Sequence, residues 1–213
     1  MEQIITELSV QKKNPNRVNV FLDGEFAFGL SRIVAAWLEV GHKLKEEDIE
    51  ILKEKDTLEI ITQRILHFLS YRPRSEKEIR NFLSLKGYEE SKIDIVIDRM
   101  KNSGMVDDLK FAEKWIENRS LNRPKGRRAL TVELMQKGIS REDIHESLAL
   151  LKNEKELAVI AGKKYSNRLG INDKVEFRKK MGAFLLRRGF DYEITSEAVE
   201  EIWHELQASQ NID

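Results

Sequence analysis

The spacing of apolar residues changes character near Thr57. Before it, runs of β-branched and aromatic residues, Val18 to Leu22 and Glu25 to Leu30, flank Asp23-Gly24. A two-residue Asp-Gly between such runs predicts a β-hairpin, because a type I′ turn needs positive φ at both central positions. Ile4 to Val10 predicts a third strand, with Lys12 to Asn16 as its connecting loop. A lone hairpin is marginal in water. The apolar stretch Ile33 to Leu38, ending near Gly41, therefore reads as its helical cover, and Lys45 to Lys55 as a short polar helix.

After Thr57 the pattern is helical, and it repeats. Leu83-Ser-Leu-Lys-Gly87-Tyr88, Leu134-Met-Gln-Lys-Gly138-Ile139 and Leu185-Leu-Arg-Arg-Gly189-Phe190 place three glycines 51 residues apart. Eight residues before each stands Ile79, Leu130 or Met181, and four before it always Leu. One before it comes a basic residue, and one after it a large apolar residue. Ten after come Ile97, Leu148 and Val199; thirteen after, Met100, Leu151 and Ile202. Positions eight and four before the glycine share one helix face. The glycine fits the C′ position, where the chain enters the left-handed region that a residue without Cβ adopts freely.

A further helix precedes the motif each time: Leu58 to Leu69, Leu109 to Leu121, and Glu156 to Leu169. The sequence thus predicts a mainly α protein, a tandem array of three three-helix repeats after a small N-terminal β-hairpin and helix extension. The boundaries read as 1–56 for the extension, 57–106, 107–152 and 153–208 for the repeats, and 209–213 for a tail. No such unit buries its apolar stripe alone, so stacked neighbours complete the core. The expected array is elongated and curved, an architecture used for binding more than for catalysis.

Composition narrows the chemistry. Cys is absent, which excludes disulfides, thiol nucleophiles and Cys-ligated metals. No run of 18 apolar residues and no leader-like N-terminus is present, so a cytoplasmic protein without membrane contact is expected. His42, His67, His145 and His204 lack i,i+4 partners, and no phosphate-binding glycine loop occurs. Asp107-Asp108 could ligate a metal. Its place ahead of a helix favours an N-cap, where a carboxylate accepts orphan backbone N–H groups. Trp115 shares a helical face with Phe111, Ala112 and Ile116 and reads as core; Trp37 and Trp203 read likewise. No cofactor and no catalytic residue is expected.

Thirty-seven basic side chains balance 37 acidic ones, but unevenly. Residues 152–190 carry a net charge of +7 and residues 191–213 a net charge of −7. Arg119 to Arg128 holds five cations in ten residues and no acid: Arg119, Arg123, Lys125, Arg127 and Arg128. Its Pro124 and Gly126 place it in the loop between the first two helices of the second repeat. Arg72-Pro73-Arg74 is its counterpart one period earlier. The third repeat offers Lys174 and Arg178-Lys179-Lys180, with Lys163, Lys164 and Arg168 on the preceding helix. Equivalent loops of stacked units could align these charges into a stripe suited to phosphates or an acidic protein surface. Lys86, Lys137 and Arg188 read instead as compensation for helix C-termini.

Three segments carry a family resemblance. They are Arg72-Pro-Arg-Ser75-Glu76-x-Glu78-Ile79, then Leu83-x-x-x-Gly87, then Gly104-x-Val-Asp107-Asp108-x-x-Phe111-Ala112-x-x-Trp115-x-x-x-Arg119. With Gly126 and Glu133-Leu134-x-x-Lys137-Gly138-Ile139, these resemble the RecX family over roughly residues 60 to 150. The resemblance implies a bacterial regulator of the RecA recombinase. Such a protein associates with the RecA filament on single-stranded DNA and restrains strand exchange, ATP hydrolysis and coprotease activity in DNA repair and the SOS response. It implies Arg72, Arg74, Arg119, Arg123, Lys125, Arg127 and Arg128 as contact candidates; those of the third repeat rest on charge alone. The expected partners are RecA filaments, single-stranded DNA and, weakly, double-stranded DNA, bound by a monomer. Two rival readings are a stand-alone, sequence-tolerant DNA- or RNA-binding module and a scaffold whose acidic last helix pairs head to tail with a basic third repeat. A metal-dependent hydrolase is a distant third.

Overall fold

The computed structural model describes residues 2–151, 153–167, 169 and 173–210, the last two by backbone alone. Four antiparallel strands open the chain: β1 (Glu2–Gln11), β2 (Asn14–Leu22), β3 (Glu25–Ser31) and β4 (Lys43–Lys45), in the order β3-β2-β1-β4. The Asp23-Gly24 turn has φ of 51° and 91°, and Leu22 pairs with Glu25 across it. Both central residues thus take the positive φ that a type I′ turn requires. Ile5, Val18, Val20, Leu22 and Leu30 turn to one buried face.

What covers that face differs from expectation. The helix sought over residues 33–38 shrinks to α1 (Arg32–Ala35), and Trp37 is 86% exposed instead of packed. Cover comes from α2 (Glu46–Tyr71), a single helix of 26 residues where two were expected. No Gly or Pro stands between Lys55 and Leu58, so nothing stops the helix there. Ile49 of α2 joins the sheet core, while Leu58, Ile61 and Ile65 are buried further along. A partly buried ion pair fastens the two: Asp56 on α2 accepts from the Arg17 guanidinium (2.9 Å) and from the Ser31 backbone N–H (2.5 Å). Removing one partner of such a pair leaves the other unmatched, typically at a cost of about 1.5–3 kcal/mol.

The remaining helices are α3 (Glu76–Ser84), α4 (Glu90–Asn102), α5 (Asp108–Asn122), α6 (Arg127–Gln136) and α7 (Arg141–Ala149), followed by α8 (Glu154–Ser166), α9 (Lys174–Arg187) and α10 (Tyr192–Gln210). The three repeats are thus α2–α4, α5–α7 and α8–α10. The chain forms two compact units, one of residues 1–73 and 79–105, the other of residues 74–78 and 106–213.

The periodic glycines behave as the spacing predicts. Gly87, Gly138 and Gly189 have φ of 81°, 84° and 86°. Each N–H donates three residues back, to Ser84, Met135 and Leu186. The next N–H donates five back, to Leu83, Leu134 and Leu185. These are three Schellman motifs one period apart. Ile79, Leu83, Leu130, Leu134, Met181 and Leu185, at the two preceding repeat positions, are fully buried. In the second repeat they pack with Phe111, Ala112, Ile116, Ile144 and Leu148. In the third they pack with Phe177, Phe190, Ala198, Val199, Ile202 and Trp203.

Candidate functional site

The basic loops were expected to present their charges outward. In the second unit their uncharged groups join segments one repeat apart. Ser75 Oγ, fully buried, donates to the Lys137 carbonyl (2.7 Å). One period later, the Gly126 N–H donates to the Arg188 carbonyl (3.0 Å). In both cases the acceptor is the residue just before a C′ glycine, where the helix end leaves its carbonyls without intrahelical donors. The Arg128 N–H adds a bond to the Gly189 carbonyl (3.3 Å). Pairing these groups matters, because a buried unpaired backbone acceptor costs about 1–3 kcal/mol.

The paired carboxylates belong to the same construction. Asp107 caps α5, accepting from the Lys110 N–H (2.9 Å) and pairing with its ammonium (2.9 Å). The Lys110 backbone N–H and ammonium together hold the Asp107 carboxyl below its ordinary value. Asp108 accepts from the Glu76 N–H (2.8 Å), at the first residue of α3. Two adjacent acids thus serve two different helix N-termini. Among the described residues no group of three His, Asp or Glu side chains could hold a metal ion.

Side chains of the Arg119–Arg128 run divide by partner. Glu133 collects Arg119 Nε (2.8 Å), Lys125 Nζ and Trp115 Nε1 (2.8 Å). Arg119 also lies over the Trp115 ring at 4.5 Å, with Lys137 at 5.1 Å from the same ring. Trp115 is therefore half-buried beneath two cations rather than sunk in the core, although it packs against Phe111 as the helical spacing implied. Burial works to raise the Glu133 carboxyl, but its Lys125, Trp115 and Arg119 donors outweigh it and leave the group lowered. Arg127 pairs with Glu154 (3.1 Å) and donates to the Leu151 carbonyl (3.3 Å). Arg123 and Arg128 are exposed and have no carboxylate partner among the described residues. In the first unit Arg72 is exposed, its guanidinium donating to the Pro73 carbonyl (3.0 Å). Arg74, at the start of the 74–78 segment, is half-buried.

The residues before the C′ glycines do more than balance a helix end. Lys137 reaches Glu78 (2.6 Å). Arg188 donates to the Pro124 carbonyl (3.1 Å) and lies over the Phe184 ring (4.9 Å). Burial, and then the charge of Arg123, lower the Arg188 value. Guanidinium nevertheless stays charged at any physiological pH.

In the third repeat the opposed charges of the sequence meet inside one fold. Acidic α10 answers basic α8 and α9. Lys155 pairs with Glu197 (3.4 Å) and Glu201 (3.2 Å), and Lys163 with Glu205 (2.5 Å). Lys174 (3.1 Å) and Arg178 (3.2 Å) share Glu200. Lys180 pairs with Glu176 one turn earlier (2.8 Å). Lys164 and Lys179 are exposed and meet no carboxylate among the described residues, and Arg168 lies outside the described residues. Sequence reasoning found the cations but not their neutralisation, because α10 follows only after the α9 helix end.

The first unit holds a cavity of about 830 Å³ lined by Arg17, Ile33, Ile60, Arg64, His67 and Phe82, with Glu59 the one acid on its wall. Arg17 is already held by Asp56, and His67 Nε2 bonds the Tyr71 hydroxyl (3.1 Å).

Comparison with known proteins gives matches along nearly the whole chain. Residues 3–45 match the "Regulatory protein RecX N-terminal domain". Residues 63–100, 107–148 and 153–199 match the first, second and third three-helix domains of RecX. A regulatory protein RecX of Clostridium botulinum (strain Eklund 17B / Type B) is 34% identical over 203 residues, covering 92% of this chain and 95% of its own. Its counterpart in Listeria monocytogenes serovar 1/2a is 32% identical, covering 96% of this chain and 78% of its own. A crystal structure of regulatory protein RecX superposes with a TM-score of 0.78 at 24% identity, covering 93% of this chain and 99% of that one. The crystal structure of RecX from Lactobacillus salivarius gives 0.63 at 24% identity, over 70% of this chain and 97% of that one.

Proposed function

The chain belongs to the RecX family of regulatory proteins, and from that premise we propose that it restrains the RecA recombinase without bond-making chemistry of its own. In this reading it binds the RecA filament on single-stranded DNA in the cytoplasm and slows strand exchange, ATP hydrolysis and coprotease activity. The observation that carries it is the order of the four family domains, N-terminal and then three three-helix domains, along nearly the entire chain. Inhibition then follows from contact: a protein spanning several filament subunits opposes their rearrangement. The contact candidates are Arg72, Arg74, Arg123, Arg128, Lys164, Lys179 and the ion-paired cations around them.

The test is RecA-dependent ATP hydrolysis on single-stranded DNA, titrated with the full chain. A fall to a small residual rate at stoichiometry well below one chain per RecA subunit is expected. An unchanged rate, with the chain absent from sedimented filaments, would overturn the reading. The alternative is a stand-alone nucleic-acid-binding module, favoured by the exposed, carboxylate-free Arg123 and Arg128; salt-sensitive DNA binding that RecA leaves unaltered would support it. A head-to-tail scaffold loses much of its motive, since Glu197, Glu200, Glu201 and Glu205 of α10 are engaged within their own repeat. A monomer at low and high ionic strength is the matching expectation.

A further inference from the structure

Two stretches that are 61 to 64 residues apart in sequence meet where the loop before α6 touches the end of α9. Three hydrogen bonds fix the meeting: Gly126 N–H to the Arg188 carbonyl, Arg128 N–H to the Gly189 carbonyl, and Arg188 Nη1 to the Pro124 carbonyl. They bring Arg123 and Arg128 to the same small region as Arg188. Among the described residues none of the three meets a carboxylate, and unlike Lys164 and Lys179 they are gathered around one hydrogen-bonded backbone junction. Their neighbours Arg119, Lys125 and Arg127 end on Glu133 and Glu154, and Lys155, Lys163, Lys174 and Arg178 of α8 and α9 end on α10. Arg188 ends on a carbonyl and an aromatic face, neither of which cancels its charge. Arg123 stands close enough to Arg188 for their repulsion to be felt.

Like charges gathered without an acid are unfavourable until an anion arrives. Guanidinium favours one class of anion, since its planar fork matches phosphate oxygens in pairs. The backbone that positions the three guanidiniums is already hydrogen-bonded, so a ligand need not order it. We propose that this junction of the second and third repeats is a phosphodiester site, in which Arg123, Arg128 and Arg188 hold the sugar–phosphate backbone of single-stranded nucleic acid. The site reads no base, because the contacts fall on phosphate. The remainder of the basic run is scaffold: Arg119, Lys125 and Arg127 hold the loop in place through Glu133 and Glu154. The site rests on the reading that the chain meets a nucleic-acid filament, and adds where and through which atoms it does so.

The experiment uses the full chain and a fluorescent oligo(dT), without RecA, so its failure is separable from failure of the regulatory reading. The variant is Arg123→Gln with Arg128→Gln; it keeps the Arg128 backbone bond and the Arg188 tether. Loss of two phosphate contacts should lower the slope of log affinity against log salt by about 1.4, and weaken binding about tenfold near 0.15 M salt. Lys164→Gln with Lys179→Gln removes the same charge from exposed positions on α8 and α9 and should weaken binding less than threefold. An unaltered melting temperature verifies that the fold is intact. Equal losses from both variants would mean diffuse charge and overturn the site. So would unchanged DNA binding, or unchanged DNA binding with weakened attachment to filaments, which would assign the cluster to an acidic protein surface.

Discussion

Gly126 and Gly189 meet backbone to backbone: a methyl group on Gly126 would lie 2.3 Å from the Gly189 carbonyl oxygen, and one on Gly189 would lie 2.3 Å from the Ala129 nitrogen. The φ of Gly126 is −77°, which any residue adopts, so space alone requires glycine there. Gly126→Ala should therefore cost about 2–3 kcal/mol and lower the melting temperature by roughly 4–12 °C. Gly182, inside α9 with only the Thr195 methyl at 3.9 Å, gives the opposite sign. Gly182→Ala should stabilise by about 0.5–1 kcal/mol. Thermal unfolding of the two variants decides both.

The Glu133 carboxyl gathers Trp115, Arg119 and Lys125, and its Nη- and Nζ-bearing partners have no second acid to turn to within the loop. Glu133→Gln should destabilise by about 1.5–3 kcal/mol, the range for hydrogen bonds to a charged group. Burial works to raise this carboxyl, yet the three donors leave it below its ordinary 4.5 in the folded chain. A lowered carboxyl contributes stability above its unfolded value and loses it as pH falls through the folded one. Trp115 emission should thus hold steady down to pH 4.5 and change beneath it. The Gln variant should lack that step.

Asp107 and Asp108 should separate by substitution. Asp107→Ala removes the cap of α5 and should cost about 1 kcal/mol. Asp108→Ala should cost a similar amount but act on α3, whose Glu76 N–H it serves. Hydrogen exchange would locate the difference: faster exchange in the first turn of α5 for one, in the first turn of α3 for the other. Asn at either position keeps an acceptor and should restore most of the loss.

The tryptophans make a third contrast. Trp203 is 8% exposed and packs against Phe177 with ring centroids 5.1 Å apart, whereas Trp37 is 86% exposed. Trp203→Ala should cost about 3–5 kcal/mol. Trp37→Ala should stay within about 0.5 kcal/mol of the parent. Acrylamide should quench the emission of Trp37 and spare that of Trp203.

The repeat was legible because its signals are local. A glycine at C′, a leucine four residues earlier and an apolar residue eight earlier all lie within one helix and its stop, where spacing along the chain is spacing in space. The hairpin was legible for the same reason, since Asp23-Gly24 specifies its own turn. Misreadings came where local signal was weak or ambiguous. Three residues, Lys43 to Lys45, are too few to announce β4, which exists by pairing with Glu2 to Ile4. Trp37 was assigned to a core by its chemistry, but α1 ends after Ala35 and leaves it outside. The polar stretch after Lys45 looked separate from the apolar one after Thr57, though no residue between them breaks a helix.

By itself the sequence determined the class of fold, the three units and their period, the capping role of Asp107, and the family to which the chain belongs. Only the tertiary structure decided which cations are spent and which remain. Charge can be counted along a chain, but whether it is cancelled depends on which acid lies within a few ångströms. Glu133 reaches Arg119 across two helices, Glu200 reaches Lys174 and Arg178 from α10, and the charge of Arg123 is felt at Arg188. Coulomb energy falls with distance in space and is indifferent to distance in sequence.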